Sequence, residues 1–304
     1  MIFADVEIYT MKIGLFAVVS GRVSGMGVMK ALAQSAERAG FSTLWAPEHV
    51  VLLDSYASRY PYREDGTLPA PADAPIPDPF LALCAMGSVT KKIRLATGIC
   101  LVPEHNPLVL AKVVATLDQL SEGRVVLGVG IGWLEEEFRA LGIPWDRRAQ
   151  RTREYIEAMR RLWGDSLSSY QGEFVNFENV RSFPKPVRGA GLPVFFGGES
   201  GPALRRVAEY GNGWCGFNLD PNEAADKIRR IETLLRSNGR KRSDVELAVS
   251  PYTKRIGPDD LARYRDAGVD EVVIVNMRAP RTPEEAEKSI EESTRKWLDA
   301  AAKL

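Results

Sequence analysis

The stretch PVFFGGESGPALRRVAEYGNGW, residues 193–214, contains one repeating unit of the fold. An apolar run from Pro193 to Phe196 ends at two glycines, and a helical pattern then continues to Gly211 before a second apolar run begins. Short, continuously apolar runs are typical of parallel strands that are buried on both faces. The stretch therefore predicts a strand, a helix and a second strand in succession.

The same alternation continues in both directions along the chain. Strands are predicted at 12–18, 42–50, 92–103, 125–133, 193–198, 213–218, 245–252 and 269–277, each followed by a helix. Residues 50–78 and 164–192 are predicted to be irregular insertions. Eight strand–helix units predict an α/β fold, a (β/α)8 TIM barrel with insertion loops. The domain would span residues 12–304, with residues 1–11 as an N-terminal extension.

An open, doubly wound sheet is the alternative fold. That fold requires a G-x-G-x-x-G pattern directly after its first strand, and the glycines at that point of this chain lack the spacing. Helix starts support the alternation of the barrel. Asn106 precedes Pro107, and Asp220 precedes Pro221 with Glu223 in the position of a capping box.

Composition narrows the class of function. Lys and Arg together number 40, and so do Asp and Glu, so the net charge is zero. This balance gives no support for a nucleic acid or a membrane as the main partner, and no apolar run is long enough to span a bilayer. The three cysteines are widely spaced, which predicts free thiols in a reducing cytoplasm. Their spacing to histidine predicts no metal site.

The turn after the fifth predicted strand is a candidate anion site. Gly197, Gly198, Glu199 and Ser200 lie at the carboxyl end of that strand, which is where barrel enzymes have their sites. Glycines let a ligand approach the backbone closely, and the following helix N-terminus offers free N–H groups to a phosphate. A tight turn with Ser200 as N-cap is the structural alternative.

Several motifs together resemble those of the luciferase-like monooxygenase superfamily of flavin and deazaflavin enzymes. They are ATGICLVPEHNPLVLAKVVATLDQLSEGRVVLGVGIGW (96–133), APEHV at the second strand, and FPKPVRGAGLPVFFGGES before and after the fifth strand begins. Within that superfamily, GVGIGWLEEEFRALGIPWDRRAQRTREYIEAMRRLW is most similar to the branch that uses coenzyme F420, an 8-hydroxy-5-deazaflavin. The resemblance covers residues 12 to about 275.

The resemblance implies roles for particular residues. Members often support the cofactor ring with a non-prolyl cis peptide at the end of the third strand, which corresponds here to Thr97, Gly98 and Ile99. The cofactor phosphate is expected at Glu199 and Ser200, with the loop at Gly130 and Gly132 beside it. Ile131 occupies the position at which bacterial luciferase has an arginine that contacts the FMN phosphate. The phospholactyl-polyglutamate tail of F420 would reach basic residues such as Arg147, Arg148 and Arg151, although a solvated helix face explains these arginines as well.

The two histidines receive different interpretations. The superfamily places a histidine against the ring and the substrate at the position of His49, and an imidazole can act as general acid or base near neutral pH. The alternative is a loop histidine paired with Glu48. His105, at the start of a helix, is predicted to be a surface loop residue.

The substrate pocket is expected to be apolar or aromatic. Trp133 stands where the F420-dependent sugar-phosphate dehydrogenases carry a catalytic glutamate, so oxidation of sugar phosphates is not expected. Trp133, Trp45 and Tyr56 suggest an apolar or aromatic pocket, although each also suits the core.

The leading functional hypothesis is hydride transfer between F420 and a small organic substrate, catalysed by a cytoplasmic homodimer. A reduced-FMN monooxygenase is the alternative, and a barrel that binds a cofactor without catalysis is the third possibility.

Overall fold

Eight parallel strands close into a barrel in the computed structural model, which describes residues 11–17, 25–275 and 280–304. Neighbouring strands around the barrel follow the order β3-β2-β1-β11-β10-β9-β8-β5, and β5 pairs with β3 to complete the circle. The strands are β1 Lys12–Phe16, β2 Thr43–Ala46, β3 Arg94–Thr97, β4 Cys100–Leu101, β5 Val125–Gly130, β6 Ser168–Gln171, β7 Asn176–Val180, β8 Val194–Gly197, β9 Gly213–Phe217, β10 Glu246–Ser250 and β11 Glu271–Val275. The predicted (β/α)8 TIM barrel is confirmed.

One side chain from each of the eight barrel strands packs in the interior. These residues are Phe16, Trp45, Ala96, Val126, Phe195, Cys215, Ala248 and Val273. A larger apolar cluster lies between the outer faces of the strands and the surrounding helices. Both faces of every barrel strand are therefore buried, which explains why the strands read as continuous apolar runs.

The helices follow the strands as the alternation predicts. Their bounds are α1 Met26–Ala39, α2 Pro79–Gly87, α3 Pro107–Leu120, α4 Glu135–Ala140, α5 Arg148–Gly164, α6 Gly201–Tyr210, α7 Pro221–Ser237, α8 Asp260–Asp266 and α9 Pro283–Ser293. The predicted caps are confirmed. The Asn106 side chain accepts from the backbone N–H groups of Leu108 and Val109, and Asp220 forms a capping box with Glu223.

Two predicted elements differ from the structure. The strand predicted over 92–103 stops at Thr97, resumes for two residues as β4, and ends in a 3-10 turn at Val102–Glu104. The peptide bond between Gly98 and Ile99, in this interruption, is cis. The segment 164–192, predicted to be irregular, contains the antiparallel hairpin of β6 and β7.

The ends of several predictions fall outside the described residues. Residues 1–10 of the predicted extension, Val18 of the first predicted strand, and residues 276–277 of the eighth lie there. Within the described residues, no helix is long and apolar enough to cross a membrane. Cys84, Cys100 and Cys215 are free thiols, as predicted.

Candidate functional site

A cavity of about 420 Å³ opens at the carboxyl ends of the barrel strands. This is the end at which barrel enzymes have their active sites, and the volume suits a small-molecule ligand. The strand ends provide one part of the wall and the loop of residues 47–78 provides another. Of the residues that the sequence suggested, His49, Gly98, Ile99, Gly130, Gly132, Gly197, Gly198 and Ser200 line the cavity.

The Ile99 side chain forms part of the surface of this cavity. A Cβ atom at Gly130 would come within 2.6 Å of the Ile99 side chain, and one at Gly197 would come within 2.5 Å. The two strand-end glycines therefore make room for Ile99 as well as leaving backbone open to a ligand. Thr97 is buried and does not line the cavity, because its hydroxyl donates to the carbonyl oxygen of Gly128 at 2.8 Å.

The turn between β8 and α6 presents backbone and one cation to the cavity. Gly198 has φ +98°, a left-handed conformation that favours glycine. Ser200 is the N-cap of α6, because its Oγ accepts the backbone N–H of Ala203 at 3.3 Å, and its own O–H can still donate to a ligand. Arg206, on the same helix, also lines the cavity; its buried Nε has no hydrogen-bond partner among the described residues.

Glu199 is not among the residues that line the cavity, although the sequence grouped it with the ligand-binding turn. Its carboxylate accepts the backbone N–H of Phe217 at 2.8 Å and also contacts the Tyr62 hydroxyl. Burial raises the pKa of Glu199 to about 7, against the opposing effect of the Phe217 N–H. Because Tyr62 belongs to the loop at 47–78, Glu199 connects that loop to the barrel.

His49 is held against the cavity wall by Glu137. Its Nδ1 lies 2.8 Å from Oε2 of Glu137, while Oε1 of the same carboxylate accepts the backbone N–H groups of Val50 and Val51 at 2.7 and 3.1 Å. A fully buried carboxylate with these partners favours the tautomer with the proton on Nδ1. No described residue hydrogen-bonds Nε2, so this nitrogen remains available to a ligand. The suggested pairing of His49 with Glu48 is wrong.

Glu48 instead binds His105 and the strand beside it. Oε1 of Glu48 lies 3.0 Å from Nε2 of His105, and Oε2 accepts the backbone N–H of Leu101 at 2.5 Å. His105, predicted to be a surface loop residue, is only partly exposed, since 24% of its side chain is accessible and its ring is paired with Glu48. Burial alone would lower the pKa of His105, but the hydrogen bond and charge of Glu48 outweigh it and raise that pKa.

A third buried carboxyl, Glu104, lies close to these two pairs. Only 8% of the residue is exposed, and neither side-chain oxygen has a hydrogen-bond partner among the described residues. Burial, together with the charges of Glu137 and Glu48, raises the pKa of Glu104 to about 9.

Comparison with known proteins identifies the family. The model of the luciferase-like monooxygenase family matches residues 11–303. The chain belongs to the luciferase-like monooxygenase family. An uncharacterized protein of Mycobacterium tuberculosis, Rv0953c, is 37% identical over 246 residues, which cover 80% of this chain and 85% of that protein.

Solved structures share the luciferase-like fold at low sequence identity. An F420-dependent secondary alcohol dehydrogenase in complex with an F420–acetone adduct has a TM-score of 0.70 and 20% identity, covering 96% of this chain and 99% of that one. The oxygenating constituent of 3,6-diketocamphane monooxygenase from Pseudomonas putida, in complex with FMN, has a TM-score of 0.74 and 16% identity. The alignment covers 97% of this chain and 99% of that one.

The aromatic residues of this luciferase-like barrel divide between pocket and core. Trp133 lines the cavity, with its ring centroid 6.0 Å from that of His49. Trp45 is a core residue, because it is fully buried and its Nε1 donates to Glu271 at 3.3 Å. Tyr56 packs against Trp133, and its hydroxyl accepts the N–H of Leu68 within the loop at 47–78.

The arginines at the start of α5 also have different positions. Arg147 is exposed and pairs with Glu173, and Arg151 is buried and donates to the carbonyl oxygen of Pro144 at 2.7 Å. Arg148 lies next to the cavity wall: its Nε is 3.4 Å from the carbonyl oxygen of Gly132, and its guanidinium carbon lies 3.5 Å from the Trp145 ring centroid.

Sequence reasoning missed Glu137, Arg206 and Glu104. Glu137 is the third of three consecutive glutamates, and Arg206 is the second of two consecutive arginines. The sequence alone therefore does not show which residue of each run faces the site. Glu104 lies two residues before the N-cap of α3, where a solvated acid is the ordinary expectation. The signal that was available is their placement near strand ends.

Proposed function

We propose that the chain is an oxidoreductase that transfers a hydride between coenzyme F420 and a small, uncharged organic substrate. The observation that carries this proposal is a single cavity with an acid/base residue at one part of its wall and a phosphate-type site at another. His49 with Glu137 forms the first, and Gly198, Ser200 and Arg206 form the second.

The residues present fit a planar-ring cofactor that carries a phosphate. The surface formed by Gly98 and the Ile99 side chain would support the ring. The backbone at Gly198, the Ser200 hydroxyl and the Arg206 guanidinium would hold the phosphate, since a helix N-terminus and a cation both favour an anion. The half-buried Arg206 would gain a partner for its buried Nε.

Arg148 favours F420 over FMN. Burial lowers the pKa of Arg148, and the positive charge of Arg206 contributes to that shift, so the two guanidinium groups influence each other at this end of the cavity. FMN ends at its phosphate, whereas F420 continues into a tail with further carboxylates. A second cation close enough to Arg206 to affect its charge therefore suits the longer anion.

The chemistry supplied by bound F420 is the gain or loss of a hydride, and the protein must then manage a proton. When a hydride reaches an unsaturated carbon of the substrate, the neighbouring heteroatom becomes basic and takes up a proton. When both ring nitrogens of His49 are protonated, Nε2 can donate this proton; in the reverse direction, Nε2 of the neutral ring with its proton on Nδ1 can accept one. Glu137 orients the ring, while Trp133 and the loop at 47–78 limit access of water.

A reduced-FMN monooxygenase is the second candidate, and Arg206 is the observation that favours it. This residue supplies a cation for the phosphate although Ile131 stands where bacterial luciferase has an arginine. The two candidates differ in the cofactor that turns over, so the purified protein is titrated with each and its absorbance is followed with and without oxygen. Substrate-dependent, oxygen-independent oxidation of reduced F420 would support the proposal, whereas oxygen consumption with reduced FMN would replace it.

The phosphate site has a matched pair of test variants. Arg206→Gln removes the cavity-lining cation, and Arg205→Gln removes its exposed neighbour on the same helix. Loss of a charge-assisted hydrogen bond, worth about 1.5–3 kcal/mol, should weaken cofactor binding by roughly 10- to 100-fold in the first variant only. Equal affinities of the two variants in a fluorescence titration would remove Arg206 from the site.

We also propose a homodimer. Leu81 and Val109, on α2 and α3, are 73% and 62% exposed, which leaves apolar surface for a second copy. Light scattering with size-exclusion chromatography gives the mass in solution, and a monomer at working concentration would contradict this part of the proposal.

A further inference from the structure

Three carboxyl groups are buried near the His49 side of the cavity, but backbone and histidine donors reach only two of them. Glu137 is hydrogen-bonded to His49 and accepts two backbone N–H groups. Glu48 is hydrogen-bonded to His105 and accepts one backbone N–H group. Both side chains therefore have hydrogen-bond donors for their oxygens. Glu104 is more than nine-tenths buried and receives no such donor from the described residues.

Glu104 lies behind the cavity wall. A Cβ atom built on the cavity-lining Gly132 would be 3.6 Å from Oε1 of Glu104. Its strongest charge interactions are with Glu137, the residue that holds His49, and then with Glu48. A proton gained or lost by Glu104 would therefore change the electrostatic field at the acid/base pair without contact with a ligand.

We propose that Glu104 is a positioning residue: it holds a proton as an uncharged acid, and its ionisation adds a charge that acts on His49 through Glu137. We assign the proton to Glu104 because it is the one of the three carboxyl groups that lacks hydrogen-bond donors. Without donors the buried charged form is the least stabilised, so the free energy needed to protonate the group is lowest there. The functional role rests on the proposed function of His49, whereas the protonation state does not.

The other ionisable groups around Glu104 do not supply a positive charge that would take the place of this proton. The Cys100 thiol interacts with Glu104 and Glu48, and burial raises its pKa, so it remains neutral. His105 is paired with Glu48. Helix α5 packs against the turn that carries Glu104, and of its nearby cations Arg151 donates to main-chain oxygens of Pro144 and Asp146, while Arg148 stacks on Trp145.

The test uses the two histidines of the chain as reporters. Protein labelled with ¹³C at histidine is titrated without cofactor from about pH 5 to about pH 11 by NMR, a span that covers the ordinary range of these groups. His49→Asn and His105→Asn assign the two signals. The wild-type His49 signal should show a second step near pH 9, and Glu104→Gln, which has the shape of the neutral acid, should remove that step only.

The controls separate charge from structure. Glu135→Gln removes a partly exposed carboxyl near Glu137 on α4 and should retain both steps. Infrared spectroscopy of the wild type should show the carbonyl stretch of a protonated carboxylic acid that Glu104→Gln lacks, and Glu104→Met provides a second variant if the first does not fold.

Three outcomes would overturn the proposal. The wild-type His49 signal could lack the second step, or the second step could persist in Glu104→Gln. In the third outcome, Glu104→Gln would shift the pH of the first step of the His49 signal. The last would mean that Glu104 is already ionised at neutral pH. Because no cofactor is present, none of these outcomes bears on the choice between F420 and FMN.

Discussion

At the scale of single residues, the consecutive glutamates 135–137 show how folding assigns different roles to identical side chains. Glu135 is exposed and pairs with Arg139, and Glu136 accepts the backbone N–H groups of Ala57 and Ser58 in the loop at 47–78. Glu137 is fully buried and holds His49. The sequence could predict His49 from its place after a strand, but its partner comes from 88 residues away and was not predictable from local pattern.

The first prediction concerns the His49–Glu137 pair. His49→Ala should lower the single-turnover rate of cofactor oxidation by about 100-fold or more, because a positioned acid/base contributes about 10²–10⁴. Glu137→Gln should lower the rate as well, and the double variant should be little worse than His49→Ala, because the two residues act as a unit. Cofactor affinity should change much less, since the phosphate-type site involves other residues. Additive losses would show that Glu137 does not act through His49.

The second prediction concerns the pH dependence of stability that arises from Glu104. Folding raises its pKa from the ordinary 4.5 to about 9, so the folded state binds a proton that the unfolded state releases. The stability contributed by this group is full below about pH 4.5 and is lost as pH rises toward 9. The Tm of the wild type should therefore fall more steeply between these pH values than that of Glu104→Gln, as measured by calorimetry. Parallel curves would contradict the raised pKa.

At the scale of elements, local signals predicted the strands and the helix caps, but not the interruptions. Asn106 and Asp220 cap their helices because the cap contacts are only two or three residues away. The break between β3 and β4 was implied by the family resemblance but not by the residue pattern, because the run ATGICLV contains no charged residue and Ile99 is placed by glycines on two other strands. The direction of Glu199 is likewise set by Phe217 on β9.

The third prediction concerns the turn between β8 and α6. Gly198→Asp should abolish cofactor binding, because it places a carboxylate beside the proposed phosphate site. Gly198→Ala is the matched control: it carries the same cost of a side chain at φ +98° without the charge, so it should retain more of the affinity. Circular dichroism checks that both variants fold. Equal affinities of Gly198→Asp and wild type in calorimetry would remove this turn from the cofactor site.

At the scale of the whole molecule, alternation of strands and helices was sufficient to predict the closed barrel and the end at which its cavity lies. Closure brings strand ends from distant parts of the sequence to one rim, so His49, Gly130 and Gly198 meet there. The lining contributed by the loop at 47–78 was not predictable, because Tyr60 packs on Trp133 and Tyr62 is bound by Asn218, which both lie outside that loop.

The last prediction tests the cofactor through the stability of the entire barrel. A ligand that binds only the folded state stabilises it by about 2.7 kcal/mol at 100 times its dissociation constant. For a large domain, each kcal/mol corresponds to a rise in Tm of about 2–4 °C. Because Arg148 and Arg206 together suit a longer anion, F420 should raise the Tm more than FMN at equal concentration.

Gly198→Asp should respond to neither cofactor, while Arg205→Gln should respond as the wild type does. A larger rise with FMN, lost in Gly198→Asp, would keep the site but move the enzyme to the monooxygenase alternative, because the shift then reports the same turn occupied by the shorter anion.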